Sequence, residues 1–330
     1  MATYGIDWCH KDEKTAVYGA EGLLKKEPEY AHGDIVATEN MPHHKCVELH
    51  HKGVQIYRCN TDLTKKIRER DNIEKTDDND AQIIYEQFKD WHVDGMIGNI
   101  QDERFRKFRY DLSLETLSYQ VKVRAEAVEA RKKSKQRTKI DPILANLLID
   151  DVKESKNAVA RLDRKIGKVL EQFPIYNDFL KDINGIGAAS AGELLSIIKD
   201  INRFPTVGKL WAYFGLDVRD GKAPKKRKGT MANWSQRGRS LILNDIVSNG
   251  FKMNGVARFD KETGELKKEA SEWRVMYDKF KENEVEKNEA RPEEEQISKG
   301  HADNRAIRKT GKEFLKRLYN EWKEIETSNG

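Results

Sequence analysis

The sequence predicts a fold that joins an α/β domain to all-α regions. Over about the first 100 residues, short apolar runs typical of strands alternate with helical patterns. Further along, apolar side chains recur at helical spacing through long, highly charged stretches. We therefore expect an α/β domain at 1–100, a helical hairpin at 101–177 and a helical domain at 178–330.

The composition supports modest cores beneath charged surfaces. Of the 330 residues, 37% are apolar and 35% are charged, and this length suits two or three domains. No apolar run reaches the roughly 18 residues that a membrane helix needs. The chain shows no basic-then-apolar leader, and its three cysteines are few and odd in number. We expect a protein of the reducing cytoplasm that has no membrane partner.

The α/β domain is expected to begin with strands at 3–9, 14–19 and 34–39, while 22–33 shows no regular pattern. A helix at 43–52, a strand at 54–58 and helices at 62–70 and 77–90 are expected to follow in that order. Thr76 stands where it would cap the last of these helices. The order of elements favours a single compact α/β layer structure.

Four carboxylates stand out in this domain. Asp7 lies inside the first strand pattern and Glu39 ends the third, while Asp77 and Asp80 share one face at a helix start. An acid in a buried strand is costly unless something pairs with it, and a shared divalent metal would pair with all four. Another explanation stays open for Asp77 and Asp80, because acids at a helix start also complement the helix dipole and cap the helix.

A heptad pattern dominates the middle of the chain. Its second half places apolar residues at alternating steps of four and three, with one polar position: Leu148, Val152, Ser155, Val159, Leu162, Ile166, Val169 and Phe173. The first half repeats the rhythm at Tyr110, Leu114, Leu117, Val121, Arg124 and Val128, and a basic, helix-interrupting stretch at 132–142 separates the two. We expect an antiparallel helical hairpin that is either a homodimerisation arm or an intramolecular spacer.

The C-terminal domain begins with the glycine turn Gly185-Ile186-Gly187, which leads into a helix at 188–200. Such glycines permit a tight turn whose amides can face a phosphate. The aromatic side chains of the next helix, at 208–215, are expected in the core, and the last helix is expected to pack there through Ile307, Phe314, Leu318, Trp322 and Ile325.

Residues 219–239, which we call the basic segment, concentrate positive charge. They contain eight Lys or Arg against the single acid Asp220, a charge of +7; the whole chain is +5, so the rest is −2. The segment is expected to be an extended loop that binds nucleic-acid phosphates through Arg219, Lys222, Lys225, Lys226, Arg227, Lys228, Arg237 and Arg239. Trp234 could stack on a base. A solvated loop or a nuclear address remains the alternative.

With these residues identified, the N-terminal third resembles the RuvC-like domain of the Piv/MooV-like insertion-sequence transposases, which carry a DEDD set of acids and are guided by bridge RNA. The matching pieces are Gly5-Ile6-Asp7, Thr38-Glu39, Gly53-Val54, Lys75-Thr76-Asp77 and Asp80-Ala81. The C-terminal part resembles the second domain of the same family through Gly185-Ile186-Gly187, Arg203-Phe204, the stretch 210–216 and Gln236-Arg237-Gly238. The resemblance implies an RNase H/RuvC-like fold whose Asp7, Glu39, Asp77 and Asp80 hold two Mg²⁺ (or Mn²⁺) ions.

The chain departs from that family at one position. The family carries a nucleophilic serine shortly after the pair that Gly215-Leu216 matches, and Ala223 stands near that place here. Ser235 and Ser240 lie further on and are the alternative nucleophiles. A recombinase needs a covalent phosphoserine to conserve the phosphodiester energy, so the departure favours hydrolysis over strand transfer.

The helical hairpin followed by a small basic domain also resembles the Nop domain of box C/D ribonucleoproteins. Together with an acid-bearing RuvC-like domain, this combination resembles the Tas proteins of TIGR systems. The resemblance implies a homodimer on a box C/D-like guide RNA that cuts target DNA. We therefore expect an RNA-guided, Mg²⁺-dependent DNA endonuclease. The alternatives are an RNA-guided transposase with a serine nucleophile and a non-catalytic scaffold that binds guide RNA.

Overall fold

The structure is a computed structural model that describes residues 1–8, 15–39, 41–58, 61–93, 112–140, 149–218, 221, 223–226, 232–260 and 262–328. The chain divides into two compact units, Met1–Glu115 and Thr116–Gly330. The predicted domain limit at 100 lies outside the described residues, and the limit at 177 stays a prediction. In the described part of the chain, every helix is too short or too polar to span a bilayer.

A five-stranded mixed sheet forms the centre of the N-terminal unit. Its strands are β1 (Thr3–Trp8), β2 (Thr15–Gly19), β3 (Gly22–Leu24), β4 (Ile35–Thr38) and β5 (Gln55–Arg58), arranged in the order β3-β2-β1-β4-β5. Strands β1, β4 and β5 run parallel, whereas β2 is antiparallel to β1 and to β3. The predicted strands are present. The prediction of an irregular 22–33 is wrong at β3, because three residues are too few to show an alternating pattern.

Helices cover both faces of this sheet. Alternate strand residues point to opposite sides, and the strands carry apolar residues on both, so each face needs a covering helix. On one face Val36 packs with Cys46 and Leu49 of α1 (His43–His51). On the other, Ile35 and Ala37 pack with α3 (Asp77–Val93). Helix α2 (Thr61–Asp71) lies between them in sequence and contacts α3. The predicted helices of this unit are therefore confirmed.

Gly5 sets the distance between β1 and α3. A Cβ atom built at Gly5 would lie 2.4 Å from the Ala81 carbonyl oxygen and 2.5 Å from the Tyr85 amide nitrogen. Both neighbours are helix backbone and cannot rotate away, so a side chain at this position would push the helix off the strand. The close approach brings the first turn of α3 beside Asp7.

Two long helices form the predicted hairpin. Helix α4 (Leu112–Ile140) begins at the end of the first unit, and α5 (Ile149–Leu170) belongs to the second. Within the second unit Leu117 and Ile166 share a core, while Arg124, further along α4, pairs with Asp163, earlier in α5. The two helices therefore run antiparallel. Tyr110 and Leu148, at the outer ends of the predicted pattern, lie outside the described residues.

The predicted interruption at 132–142 is wrong over the part that is described, because α4 continues to Ile140. Lys, Arg and Gln are good helix formers, so a basic stretch does not by itself end a helix. Residues 141–148 lie outside the described part of the chain. Association of the hairpin into a homodimer stays a prediction.

The rest of the second unit is a helical core. Its elements are α6 (Ala188–Ile198), α7 (Val207–Tyr213), α8 (Gln236–Ser240), a π-helical continuation of α8 (Leu241–Met253), α9 (Glu272–Glu289) and α10 (Lys299–Ser328). Phe214, Phe251, Phe314 and Leu318 are fully buried at its centre. The last helix therefore packs as predicted. A short hairpin of β6 (Arg258–Phe259) and β7 (Leu266–Lys268) was not predicted.

The glycine turn before α6 packs against backbone. Gly185 has a φ of +107°, and a Cβ there would lie 2.5 Å from the Gly250 carbonyl oxygen. A Cβ at Gly250 would in turn lie 2.4 Å from the Gly185 carbonyl oxygen. The two backbones are thus in direct contact at Gly185, and any side chain there would overlap Gly250. Glycine alone fits this position.

Candidate functional site

The four predicted carboxylates lie at one edge of the N-terminal sheet. Ile6 of β1 pairs with Thr38 of β4 in parallel register, so Asp7 and Glu39 follow at the same end of neighbouring strands. Asp77 and Asp80 occupy the first turn of α3, which the contact at Gly5 holds close to β1. Asp7 and Asp80 are buried, with 9% and 7% of their surface exposed.

Electrostatic repulsion links all four groups. Burial is the largest cause that raises the pKa of Asp7, and the negative charges of Asp80, Asp77 and Glu39 add to it; a hydrogen bond from the Trp8 backbone opposes them, and the resulting pKa is about 6 instead of the ordinary 3.8. A carboxyl group responds in this way only to charges that are near it. The structure therefore brings together the residues that the sequence singled out. Their service as metal ligands stays a prediction.

Arg68 of α2 supplies positive charge at this edge. Its Nη1 lies 2.6 Å from Oδ1 of Asp80 and also contacts Oδ2. The guanidinium and the charge of Lys75 lower the pKa of Asp80, but burial outweighs them and the pKa is raised overall. On the other side, Glu39 accepts a hydrogen bond from the Thr64 hydroxyl, also on α2. Sequence reasoning missed Arg68 and Thr64 because nothing local distinguishes them from the other polar residues of α2.

The start of α3 is capped by Thr76, as predicted. The Asn79 amide donates to Thr76 Oγ1 at 3.1 Å, and the Asn79 side chain donates to the Glu74 carbonyl oxygen at 2.9 Å. Because Thr76 accepts the amide, Asp77 and Asp80 are not needed as cap residues. The capping alternative thus loses its main support, although both acids still lie in the first turn, where they complement the helix dipole.

The donor set fits Mg²⁺ or Mn²⁺ in its chemistry. Carboxylate oxygens are the ligands that these hard cations prefer, and a cation would relieve the repulsion around Asp7. As the side chains are placed, however, no group of three or more His, Cys, Asp or Glu among the described residues converges closely enough to hold a metal. Binding by Asp80 also requires Arg68 to release that carboxylate. The arrangement is thus a cluster of acids with one arginine counter-ion.

The basic segment of the second unit is only partly described. Arg219, Lys222, Arg227 and Lys228 lie outside the described residues. Lys225 and Lys226 are exposed. The prediction that the whole segment is an extended loop is wrong at its end, because its last residues form α8.

Three predicted nucleic-acid contacts have partners inside the protein. Arg237 forms a bidentate ion pair with Glu193, with Nη2 2.5 Å from Oε2. Arg239 donates to the Pro224 carbonyl oxygen at 2.6 Å, with its Cζ 6.0 Å from the Trp234 ring centre. Trp234 lies on Gly215, whose Cβ position would be 2.5 Å from Trp234 Cδ1. These contacts hold the C-terminal end of the segment to the helical core, and Arg239 joins it to Pro224 earlier in the segment.

The two alternative nucleophiles also have structural contacts. Ser235 caps α8 by accepting the Gly238 amide at 3.0 Å, and its own amide donates to the Tyr213 carbonyl oxygen. Ser240 Oγ accepts the Asn244 side chain at 3.1 Å. Ala223 is half-buried in the described part of the segment.

A two-unit chain with clustered carboxylates in one unit and basic residues on a helical core in the other suggests an enzyme that acts on nucleic acid. Residues 177–248 match the model of the Transposase IS116/IS110/IS902 family. The matched segment runs from the turn before α6 into the π-helical continuation of α8 and includes the basic segment. Among curated proteins, none matches the chain. The family match supports a relation to transposases and recombinases.

Proposed function

We propose that the protein is an RNA-guided, metal-dependent endonuclease that hydrolyses DNA at the carboxylate edge of its N-terminal unit. The observation that supports this proposal is the placement of Asp7, Glu39, Asp77 and Asp80 at one edge, where their charges help to raise the pKa of Asp7 to about 6. The strand order, with β1, β4 and β5 parallel and β2 antiparallel, supports an RNase H/RuvC-like fold. The match at 177–248 supports nucleic acid as the substrate.

In this mechanism the four carboxylates would hold two Mg²⁺ (or Mn²⁺) ions. When bound, the ions supply an activated water and stabilise the leaving 3′-oxygen. Asp7 must be ionised to act as a ligand, and its pKa of about 6 means that it binds protons more readily than an ordinary aspartate. Protons and metal ions therefore compete for Asp7, and we expect metal binding, and activity at limiting Mg²⁺, to weaken as the pH drops below about 6.

Arg68 exchanges partners in this mechanism. Its side chain is 14% exposed and paired with Asp80. A guanidinium that loses its partner in such a position is destabilising, so Arg68 requires another anion when Asp80 turns to the ions. A phosphate of the bound DNA is an anion of the right chemistry, since arginine binds phosphates in the same forked geometry as carboxylates. Arg68 would thereby help to position the strand that is cut.

The test uses the full-length protein with the RNA that copurifies with it, DNA that matches that RNA, and Mg²⁺. Asp7→Asn and Asp77→Asn are expected to reduce cutting by about a hundredfold or more, since each removes a ligand charge. Asp78→Asn is the matched control, because it removes an exposed acid from the same helical turn as Asp77 but none of the four proposed ligands. Undiminished cutting by the first two variants would refute the assignment. Tight RNA binding without cutting by the unaltered protein, in Mg²⁺ or Mn²⁺, would instead support a scaffold.

The second candidate is an RNA-guided transposase, which the family match favours. Its nucleophile would be Ser235 or Ser240, and it would form a covalent phosphoserine with DNA. Ser235→Asn is the informative variant, because asparagine is as good a helix cap as serine but has no hydroxyl. A covalent protein–DNA adduct that disappears in this variant, or in Ser240→Ala, would establish the transposase and overturn the hydrolytic proposal.

A further inference from the structure

Helix α10 carries a row of basic side chains outside the basic segment. Successive residues of an α-helix turn by about 100°, so five cations fall on one side: Arg305, Arg308, Lys309, Lys312 and Lys316. The opposite side is the buried face, with Ala306, Phe314 and Leu318. We call the five cations the α10 basic face. It lies beyond residues 177–248, so the matched family segment does not include it.

Arg308 is the centre of this face. It is half-buried and makes neither a hydrogen bond nor an ion pair with any described residue. Burial lowers its pKa, and the positive charges of Arg305 and Arg239 lower it further, whereas Glu284 has the opposite effect. Arg239 thus reaches the same place from α8. A half-buried guanidinium among like charges is unfavourable unless an anion joins it.

Lys312 is held beside Arg308 by an aromatic ring. Its Nζ lies 4.0 Å from the ring centre of Trp211, and the Trp211 indole nitrogen donates to the Lys312 carbonyl oxygen at 2.9 Å. Burial and the charge of Arg308 lower the pKa of Lys312, opposed by Asp217. The ring fixes the ammonium group at low cost in side-chain freedom, which suits a preformed binding position.

Acids do not balance these cations. Arg305 and Lys309 share the buried carboxylate of Glu284, with 3.5 Å between Arg305 Nη1 and Oε2. The two acids that act electrostatically on Arg308 and Lys312 are Glu284 and Asp217. Lys316, the last cation of the face, is paired with Glu313 at 4.0 Å. The five cations of the α10 basic face and Arg239 thus stand against the three acids Glu284, Asp217 and Glu313, which leaves a net charge of +3.

We propose that the α10 basic face binds the sugar–phosphate backbone of a nucleic-acid strand. Lys312 lies seven positions beyond Arg305, which places them about 10 Å apart along the helix axis. Phosphates of one strand recur about every 3.4 Å along a duplex axis, so the row spans several of them. A single inorganic phosphate would occupy one end only. Arg239 also binds the carbonyl of Pro224, which immediately precedes exposed Lys225 and Lys226, so positive charge continues into the basic segment.

The test compares two double variants of the full chain that lose the same charge. Arg308→Gln/Lys312→Gln removes the centre of the face, and Lys279→Gln/Lys287→Gln removes two exposed lysines from α9. Binding is measured by fluorescence anisotropy with labelled RNA and DNA duplexes of one sequence, across a series of KCl concentrations. The first variant should bind at least tenfold more weakly, with a salt slope smaller by about 2. The second should stay within about twofold of the unaltered protein.

Several outcomes would overturn the proposal. These are an unchanged slope in Arg308→Gln/Lys312→Gln, an equal loss in the control, and displacement of both duplexes by millimolar inorganic phosphate, which would indicate a small-anion site. Arg308→Lys keeps the positive charge and should keep the salt slope of the unaltered protein. A smaller salt slope in Arg308→Lys would contradict the proposal, because it would assign the effect to a folding defect and not to the lost charge. An effect on RNA alone or on DNA alone supports the proposal and identifies the strand.

The proposal rests on the proposed function for its polymeric ligand but can fail separately. Asp7→Asn should abolish cutting and leave the salt slope unchanged, because Asp7 belongs to the other unit. If that variant cuts normally while the α10 variant loses binding, the nuclease assignment fails and the α10 proposal stands. The reverse pattern refutes the α10 proposal alone.

Discussion

The carboxylate edge of the N-terminal unit and the α10 basic face both gather like charges where water is scarce. Around Asp7, acids from the ends of two strands and the start of a helix meet, and the charges of Arg68 and Lys75 oppose them at Asp80. Around Arg308, arginines and lysines from α8 and α10 meet, opposed by Glu284 and Asp217. Clustered like charges cost stability, so each cluster indicates a counter-charge that binds there.

The shapes of the two clusters indicate different counter-charges. The acids gather at one edge of the sheet, near enough to raise the pKa of Asp7, which suits small, multiply charged cations. The cations extend along a helix face, which suits a polyanion. A chain with both has one place for cutting chemistry and another for holding the substrate or its guide. The following predictions test each half of that contrast, from the largest expected effect to the smallest.

Gly5→Ala should have the largest effect, because it separates α3 from β1. The new methyl group would overlap the Ala81 carbonyl, and a displacement of about 1 Å at a reacting site can cost about a hundredfold in rate. We also expect a loss of about 1–3 kcal/mol in stability from overpacking. Gly19→Ala is the control, since its Cβ would meet side-chain atoms alone, the nearest being Tyr4 Cδ1 at 3.3 Å. Equal cutting and equal urea midpoints in the two variants would show that Gly5 does not position the edge.

The pH dependence of stability should report the repulsion at Asp7. Its pKa is raised from 3.8 to about 6, so the folded protein holds this proton more tightly than the unfolded chain. The resulting stabilisation is full below the unfolded pKa and is lost as the pH rises through about 6; it amounts to about 3 kcal/mol at most.

The measurement is urea unfolding in EDTA at pH 4 and pH 7. The unaltered protein should lose more stability over that interval than Asp7→Asn, which cannot titrate at this position. Asp78→Asn should behave like the unaltered protein, because Asp78 is exposed. Identical pH dependence in Asp7→Asn and the unaltered protein would mean that Asp7 is not buried among charges.

Much of the carboxylate edge could be predicted from the sequence, because its signals are local. Asp7 interrupts an apolar strand pattern, Glu39 ends another, and Thr76 precedes a helix in a capping position. Arg68 could not be found this way, because its pairing with Asp80 depends on how α2 packs against α3.

The second unit was harder to predict for the same physical reason. Composition indicates that Trp234, Arg237 and Arg239 lie in a basic stretch. It does not indicate their partners, which are Gly215 for Trp234, Glu193 for Arg237 and Pro224 for Arg239. The spacing of cations on α10 is visible in the sequence, yet the approach of Arg239 to Arg308 is set by tertiary packing. Helix α4 continues to Ile140 because the residues of its basic end are good helix formers. Their charge was given more weight than this helix propensity in the prediction from sequence.

Arg68→Gln should strengthen metal binding in the absence of nucleic acid. Removing the guanidinium frees Asp80 and removes a positive charge that repels the incoming ion, so we expect Mn²⁺ to bind about tenfold more tightly. Isothermal titration calorimetry measures this without reference to activity. Arg70→Gln, on the same helix but exposed and paired with Asp71, should leave the affinity unchanged. Weaker Mn²⁺ binding by Arg68→Gln would show that Arg68 supports the ligands instead of competing for one.

The basic segment should show the smallest effects, and they should differ by residue. Lys225→Gln/Lys226→Gln should lower the salt slope of RNA binding by about 2 if both contact phosphates. Arg237→Gln should change the slope less, because Arg237 is already paired with Glu193. Since Arg237 is more than half exposed, we expect it to contribute no more than about 1 kcal/mol to stability. A larger slope change for Arg237 than for the lysine pair would contradict the division between anchoring and binding residues.

The central claim is that water, held at the carboxylate edge, attacks the DNA phosphorus directly. The most direct measurement is the stereochemical course of cutting at a phosphorothioate of known configuration, in Mg²⁺ and isotopically labelled water, with the copurified guide RNA; the label makes the product phosphorus chiral. One in-line displacement inverts the phosphorus centre, whereas passage through a phosphoserine involves two displacements and retains it. We predict inversion, and we predict that Asp7→Asn gives no product. Retention of configuration would contradict the account and assign the chemistry to a serine of the second unit.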